Sequence, residues 1–355
     1  MRRLFHRLAA MAVTLTILTL TASGCGINTA DTSDDLPQSE VCNNANKEIL
    51  SENIPIPDSS DLFSESLSET TTEAFPENPT QSVIPILRKG DYLTCNFYDP
   101  TAFRMFDETA EAYELTGTLR AGVVTHHLLA GQMITSFFKA AVQNRPDIET
   151  VVILAPAHYP NNTPYDLITS KTNWATDFGE VPCDTDITEK FMTDLSAGID
   201  DEMLSYDHSA STFIPFVKYY LPNAKVSCLL ISGRAEKQVP EKAASLLYDI
   251  SREKNCLFLF SADFSHYLDP ETAYRKDEET LAAITARDTA SIELMNDDHT
   301  DTPRCICTFI HLMNLMEADI TALDRSDSAE QADLPYNHAT FPEGVTSYFI
   351  FAGET

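Results

Sequence analysis

The stretch LRAGVVTHHLLAGQM, residues 119–133, joins two sequence patterns at a pair of histidines. Its apolar run, Ala121 to Val124, has the continuous character of a strand that is buried on both faces. The run stops at Thr125, the two histidines follow, and the remainder has the pattern of a helix. A buried strand that passes directly into a helix is typical of a parallel sheet, whose ligands bind beyond the carboxyl ends of the strands.

The same alternation continues along the chain. Helical patterns such as PEKAASLLYDISREK and ETAYRKDEETLAAITAR separate the apolar runs TVVILAPAH, AKVSCLLIS and NCLFLFSADFSH, and EGVTSYFIFAG forms a last strand. Residues 211–221, STFIPFVKYYL, predict a further helix. Together these patterns predict an α/β fold with a mainly parallel central sheet covered by helices on both faces.

The N-terminal segment has the features of a secretory signal. Residues 1–24 begin with MRRLFHR, continue with an apolar stretch and end in small residues, which is typical of a signal peptide. Cys25 follows Ala-Ser-Gly and resembles the cysteine of a bacterial lipobox, which implies lipidation of Cys25 and removal of residues 1–24. The alternative is an ordinary secreted protein with a chance cysteine. We expect the lipid-anchored protein on the extracytoplasmic face of the cell membrane.

Residues 25–85 have a different composition from the rest of the chain. Asp, Glu, Ser, Thr and Pro dominate this segment, which cannot bury enough apolar surface to offset its ordering entropy. The composition predicts a disordered acidic tether that follows the lipid anchor. The remaining residues, 86–355, are long enough for one α/β domain with a large core.

The charge of the chain limits the classes of partner. Its formal net charge is −30, which argues against nucleic acid, whose phosphates require Lys and Arg. The same charge argues against electrostatic adhesion to anionic lipid, so a lipid anchor would have to provide the membrane attachment. The alternative interpretation of the charge is solubility alone.

The eight cysteines do not form the spacing of a disulfide framework. Cys228 and Cys256 lie in apolar runs and are expected to be buried strand thiols. Cys305 stands at the start of the helical pattern CICTFIHLMNLMEA, where the helix macrodipole favours a thiolate. The alternative for Cys305 is a buried thiol at the start of a helix.

Histidines follow three of the predicted strands. One such histidine is more often a capping or core residue, but three at one sheet edge favour a metal or proton-transfer site. An aspartate follows one of these strands, and a second aspartate, Asp207, precedes His208 and is a candidate to orient it; a capping role for Ser209 or Ser211 is the alternative. The candidates after the strands are His126, His127, His158, Asp263 and His266. His311 is expected in the core, and His299 and His338 in loops.

At these residues the chain resembles the Memo family, the B component of the bacterial AmmeMemoRadiSam system. The matching pieces are THHLLAG, LAPAHY, YDHSAS, SADFSHY, CICTFI and VTSYFIFAG, which occur in the family's order over roughly residues 120–352. The resemblance implies a fold like that of the class III extradiol dioxygenases, which use non-haem iron. It also implies association with AMMECR1-like and radical SAM proteins.

The resemblance further implies a pocket in which two histidines and a cysteine bind metal. Carried over residue by residue, these ligands are His126, His158 and Cys305, and a register shifted by two leaves Cys307 as the alternative. The other pocket residues, expected to be catalytic, are His208, Asp263 and His266. His208 and His266 are the acid/base candidates near a bound substrate, and Asp263 could also act as a carboxylate ligand of the metal. The chain departs from the family motifs at Ile306, Phe309 and Ser211, where the family has Gly, Pro and Glu.

These features predict one metal ion and an enzyme-like function. Two imidazoles and a thiolate leave an open coordination position and favour softer ions, and we expect iron or copper rather than zinc. His127 either lines the pocket or packs behind it, because adjacent residues at a strand end point to opposite faces. The leading hypothesis is a membrane-tethered, metal-dependent oxidoreductase-like enzyme that acts on a small molecule. The alternatives are a metal- or ligand-binding lipoprotein without turnover and a zinc-dependent hydrolase.

Overall fold

A computed structural model describes residues 91–95 and 98–355. The predicted signal peptide (1–24), the lipidation site Cys25 and the predicted tether (25–85) lie outside the described residues. No helix of the described part has both the length and the apolar character that a membrane crossing needs.

The strands of the described part form two sheets. In chain order they are β1 Leu93–Thr94, β2 Leu119–Val124, β3 Thr150–Pro156, β4 Leu167–Thr169, β5 Trp174–Thr176, β6 Gly179–Val181, β7 Gly198–Ile199, β8 Lys225–Ile231, β9 Cys256–Ser261, β10 Asp319–Asp327 and β11 Ser347–Glu354. The main sheet has the order β10-β11-β2-β9-β3-β8-β4-β7, and β1, β5 and β6 form a small separate sheet.

The centre of the main sheet is parallel. Strands β2, β9, β3 and β8 run side by side in the same direction, and their buried positions are continuous, as the apolar runs predict. The register sets Val124 of β2 opposite Ser261 of β9, and Pro156 of β3 opposite Ile231 of β8. The carboxyl ends of these four strands therefore meet at one edge of the sheet.

One side of the main sheet continues with antiparallel strands. The last strand, β11, pairs antiparallel with both β2 and β10. The first residues of β11 therefore return to the edge at which β2 and β9 end. Ser347 confirms this position, because its N–H donates to the Ser265 carbonyl at 2.9 Å.

Helices cover both faces of the main sheet. They are α1 Pro100–Thr109, α2 Gly131–Asn144, α3 Thr185–Asp194, α4 Asp201–Tyr206, α5 His208–Ser211, α6 Ile214–Tyr220, α7 Val239–Ser251, α8 Pro270–Thr285, α9 Thr289–Ile292, α10 Pro303–Leu315 and α11 Ser328–Gln331. Side chains of α2 and α6 pack into one buried cluster with one face of the strands, and those of α3, α7 and α10 pack into a second cluster with the other face. The predicted fold class is confirmed.

The helix predicted over residues 211–221 is interrupted. Helix α5 ends at Ser211 and α6 begins at Ile214, with Pro215 in its first turn. Proline has no N–H to donate to the preceding turn, so the helix begins again at this point. The break leaves α5 as a single turn that carries His208 at its start.

The cysteines of the described part are free thiols. Cys228 in β8 is 3% exposed and Cys256 in β9 is 5% exposed, and both lie in the hydrophobic clusters. Their prediction as buried strand thiols is confirmed.

Candidate metal centre

The residues that follow β2, β3 and β9 surround one cavity. The order β2-β9-β3 brings the three strand ends together, as predicted, and a cavity of about 620 Å³ opens beyond them. Its polar lining includes His126, His127, His158, His208, Asp263, His266, Asp297, Asp301, Thr302 and Arg304. The segments that follow the three strands supply five of these side chains, and other loops and helix starts supply the rest.

His126 is buried and held in one tautomer. Its Nδ1 lies 2.8 Å from the Oγ of Ser261, and that hydroxyl donates to the carbonyl of Ser209 at 2.7 Å. Because a serine hydroxyl has a single proton, Ser261 accepts from His126, and Nδ1 carries the imidazole proton. Nε2 is therefore the ring nitrogen that is left on the cavity side.

His158 is oriented by a buried carboxylate. Asp207 accepts the His158 backbone N–H through Oδ2 at 2.7 Å and the ring Nδ1 through Oδ1 at 2.8 Å. Burial raises the pKa of Asp207, but the hydrogen bonds and charge of His158 outweigh burial and hold it below its ordinary value. The sequence suggests that Asp207 orients its neighbour His208. In the structure the Asp207 carboxylate instead accepts hydrogen bonds from His158.

His208 completes a group of three imidazoles. One ligand atom each of His126, His158 and His208 lies within 4.8 Å of the other two. The His208 ring stacks on that of His158 with centroids 4.6 Å apart and meets that of His126 edge-on at 5.1 Å. Burial, followed by the positive charge of the two other histidines, lowers the pKa of His208 to about 4. Its ring is therefore neutral at pH 7 and able to offer a lone pair.

Two carboxylates flank the imidazoles. Asp263 accepts from the backbone N–H of His126 at 3.1 Å and from the hydroxyl of Thr125. Burial raises the pKa of Asp263, but the charge of His126 and the hydrogen bond of Thr125 outweigh burial and lower it. Asp301, which the sequence did not single out, has Oδ2 at 3.4 Å from the Nε2 atoms of both His126 and His158.

Cys305 does not line the cavity. Thr302 caps α10, and Cys305 stands three positions later, where its side chain is fully buried in the hydrophobic cluster beneath the sheet. Burial raises the pKa of the Cys305 thiol to about 12, and the hydrogen bond of Thr302 does not compensate. These observations favour the alternative for Cys305, a buried thiol at the start of a helix, because desolvation disfavours the thiolate. Cys307 is also buried, with its pKa raised to about 12, and does not line the cavity.

The other predicted histidines divide into two groups. His127 lines the cavity and its Nδ1 is hydrogen-bonded to the hydroxyl of Tyr348 at 2.6 Å. His266 also lines the cavity, and its buried Nδ1 has no hydrogen-bond partner within the described part of the chain. The histidines to which we assigned no role stay away from the cavity lining: His299, His311 and His338.

A parallel α/β sheet with histidines at the carboxyl ends of its central strands defines a protein with a candidate metal centre at the sheet edge. The profile of the Memo-like protein family matches residues 116–334, which is more than half of the chain. The chain belongs to the Memo family.

Known proteins give the same family. The MEMO1 family protein of Aquifex aeolicus is 27% identical over 164 residues, which cover 46% of this chain and 61% of that relative. The MEMO1 family protein of Archaeoglobus fulgidus is 30% identical over 145 residues, covering 40% and 54%. The chain thus spans less than two thirds of the length of each relative. Among solved structures, the uncharacterized protein JW3007 from Escherichia coli K12 superposes with a TM-score of 0.45 at 12% identity, over 66% of this chain and 99% of that chain.

Proposed function

We propose that this Memo-family chain binds one metal ion through His126, His158 and His208 and uses it in oxidoreductase chemistry on a small molecule. The observation that carries the proposal is the meeting of three imidazoles, with ligand atoms within 4.8 Å of one another, at the wall of one cavity. A single buried histidine has many structural uses, but three imidazoles whose ligand atoms converge on one point are typical of a metal centre.

The chemistry of the donors fits a metal ion. His126 and His158 each use Nδ1 for a hydrogen bond to a protein oxygen, which leaves Nε2 for a ligand. Metal-ligating histidines in proteins are oriented in this manner, by a carboxylate or another acceptor on the second ring nitrogen. Imidazole donors suit iron, copper and zinc alike, and we propose iron or copper for the oxidoreductase.

The cavity provides the means to bind and orient a substrate. At about 620 Å³ it has the size of a small-molecule site, and Tyr159, Tyr267 and Arg304 contribute to its wall. The Arg304 guanidinium lies 3.9 Å from Glu293, which is a weak ion pair, so it is available to an anionic group of a bound molecule. We propose a small acidic substrate that contacts Arg304.

His266 is the residue that we propose for proton transfer. Its ring lines the cavity, and an imidazole at the wall of a substrate cavity can exchange a proton with a bound substrate. A redox-active ion, when bound, supplies the electron transfer that no side chain of the cavity can supply. The lowered pKa of Asp263 keeps its carboxylate negatively charged next to His126.

The experiment is metal analysis of the full chain purified without a histidine tag, followed by oxygen uptake with candidate acidic substrates. One equivalent of iron or copper per chain together with oxygen uptake is the expected result. Bound redox metal without turnover under any condition points to a binding lipoprotein. Absence of stoichiometric metal after reconstitution contradicts the proposal.

A zinc-dependent hydrolase is the second candidate, and the all-imidazole donor set favours it. Three histidines with an open fourth position are a known arrangement of catalytic zinc, which activates a bound water. Stoichiometric zinc, hydrolysis of model esters and no oxygen uptake are the results expected for this candidate.

The membrane attachment remains a proposal as well. We propose that Cys25 carries lipid and that the acidic segment 25–85 separates the Memo-like domain from the membrane. The support is the sequence pattern of residues 1–25 together with the negative charge of the chain, which provides no electrostatic attraction to lipid.

A further inference from the structure

Asp301 is fixed in the loop that leads into α10. Its backbone N–H donates to the carbonyl of Asp263 at 3.2 Å, and its Oδ1 accepts the backbone N–H of Asp263 at 3.1 Å. The hydroxyl of Thr300 donates to the same Asp263 carbonyl at 2.9 Å. These three bonds tie the loop to the end of β9, and they leave the second carboxylate oxygen of Asp301 pointing into the histidine group.

That second oxygen has an unusual environment. Oδ2 of Asp301 is buried and has no hydrogen-bond partner among the residues of the described part. The side chain as a whole is 9% exposed. It lies 3.4 Å from Nε2 of His126 and 3.4 Å from Nε2 of His158. A buried carboxylate oxygen without a donor is costly, because its desolvation is not offset by a hydrogen bond.

The two equal distances from Oδ2 of Asp301 to the Nε2 atoms of His126 and His158 distinguish a hydrogen bond from a shared metal ion. A hydrogen bond from one protonated imidazole would draw that nitrogen to about 2.7–3.2 Å from the oxygen and leave the other nitrogen farther away. Two ligands that lie about 2.1 Å from one ion at a tetrahedral angle are instead about 3.4 Å from each other. The observed separations match those of ligands that share a cation.

We propose that Asp301 is an oxygen ligand of the metal centre and takes the place that the family gives to cysteine. The inference rests on the proposed function, since it assumes that His126 and His158 bind a metal ion. Asp301 is preferred to Asp263, whose Oδ1 already accepts two hydrogen bonds and whose Oδ2 lies 3.6 Å from His126 alone. It is preferred to Cys305, whose thiol is buried in the hydrophobic cluster away from the cavity.

The exchange of sulfur for oxygen changes the kind of metal that the centre prefers. A thiolate favours soft ions such as Cu(I), whereas a carboxylate that joins the imidazoles of His126, His158 and His208 gives a harder donor set of the kind that suits Fe(II). With Asp301 as ligand, the centre is selective for Fe(II) or Zn(II) over Cu(I).

Cobalt(II) provides a probe of the ligand set that does not depend on activity. We would titrate the full chain with Co(II) and follow its visible d–d bands and the near-ultraviolet charge-transfer band that a thiolate ligand produces. The variants are Asp301→Asn, Asp301→Cys and Cys305→Ser. The matched control is Asp297→Asn, which removes the same charge from an exposed residue of the same cavity wall.

Asp301→Asn retains an oxygen that accepts from Asp263, so the loop is expected to stay in place. We expect Asp301→Asn to weaken Co(II) binding by more than about 10-fold and to alter the d–d bands, while Asp297→Asn stays within about 3-fold. Asp301→Cys should introduce a thiolate charge-transfer band that the wild-type chain lacks, and Cys305→Ser should leave affinity and spectrum unchanged.

Two results overturn the assignment of Asp301. One is wild-type affinity and an unchanged spectrum in Asp301→Asn. The other is a thiolate band in the wild-type chain that Cys305→Ser abolishes. A different result, the absence of stoichiometric Co(II) binding by the wild-type chain and by His126→Ala alike, would instead contradict the proposed metal centre itself.

Discussion

Asp207 and His158 are joined by two hydrogen bonds, one from the backbone N–H of His158 and one from its ring Nδ1, at 2.7 and 2.8 Å. The two carboxylate oxygens therefore fix both the position and the rotation of a single histidine. Because the Asp207 side chain is fully buried, water does not compete for either bond. The next residue after Asp207 is His208, so one short segment positions two imidazoles of the candidate centre.

The first prediction tests this orientation. Asp207→Asn keeps the size of the side chain but replaces the charged acceptor of Nδ1 by an amide, and we expect metal affinity to fall by about 10- to 100-fold. Competition titration against a chromophoric chelator measures the change. Asp200→Asn is the control, because Asp200 caps the adjacent α4 and has no contact with the histidines. Equal affinities in the two variants would contradict the role of Asp207.

The second prediction concerns the tautomer of His126. Ser261→Ala removes the acceptor of its Nδ1–H, so the imidazole is no longer held with Nε2 towards the cavity, and we expect about a 10-fold loss of metal affinity. Ser227→Ala serves as the control, since Ser227 is a buried strand hydroxyl that bonds Thr188 instead of a histidine. Isothermal titration with Co(II) compares the two. A loss of the same size in both variants would point to general destabilisation.

The third prediction concerns stability away from the centre. Asp184 caps α3, accepts from Thr150 at 2.8 Å and forms an ion pair with Lys254 at 2.7 Å. Burial raises the pKa of Asp184, but the hydrogen bonds from Lys254 and Thr150 outweigh burial and hold that pKa below its ordinary value. Burial lowers the pKa of the Lys254 ammonium, but Asp184 and Asp186 outweigh burial and raise it. Asp184→Asn leaves a partly buried ammonium without its main partner, and we expect a loss of about 2 to 3 kcal/mol in the free energy of unfolding at pH 7.

The pH dependence of this effect has a definite sign. A carboxylate with a lowered pKa stabilises the fold above its unfolded-state value, near 3.8, and the contribution disappears as the pH falls through the folded-state value. An ammonium with a raised pKa contributes below its ordinary value of 10.5 and ceases to do so at still higher pH. Urea unfolding at pH 7 and pH 3 should therefore show the difference between wild type and Asp184→Asn shrinking at pH 3. A difference that does not depend on pH would show that the ion pair is not its source.

The fourth prediction tests the membrane anchor. We expect Cys25→Ala to release the protein from the membrane fraction in the native host, because a chain with a formal net charge of −30 has no net electrostatic attraction to anionic lipid. Cys42→Ala, which changes another cysteine of the predicted tether, should remain with the membranes. Immunoblotting of fractions after a salt wash decides between the outcomes. Retention of Cys25→Ala would refute the lipidation of Cys25.

The sheet and three residues at its edge were predictable because their signals are local. A continuous apolar run indicates a buried parallel strand, and parallel strands bring their carboxyl ends to one edge, so His126, His158 and Asp263 could be grouped without a structure. Strand β10 was missed because its residues 319–327 are mostly polar and partly exposed, as is usual at the edge of a sheet.

The remainder of the centre depends on contacts between distant residues. Asp301 belongs to the acidic stretch NDDHTD, which has the composition of a solvated loop, and only its hydrogen bonds to Asp263 bring it to the cavity. Cys305 follows the cap of α10 by three positions, and packing against the sheet decides that its side chain faces the core. Asp207 binds a histidine 49 positions away instead of its neighbour in sequence. No local sequence pattern predicts any of these three contacts.

The position of β11 between β2 and β10 has a consequence for the order of folding. Strand β2 pairs only with strands that are synthesised much later, and the contact between His127 and Tyr348 spans 221 positions. Contacts of such long sequence separation close large loops and slow the folding of a domain. A nascent chain that has emerged as far as β9 already contains His126, His158 and His208. It still lacks β11, which pairs with β2 on the side away from β9, so we expect the cavity edge to take its final form only at the last stage of synthesis.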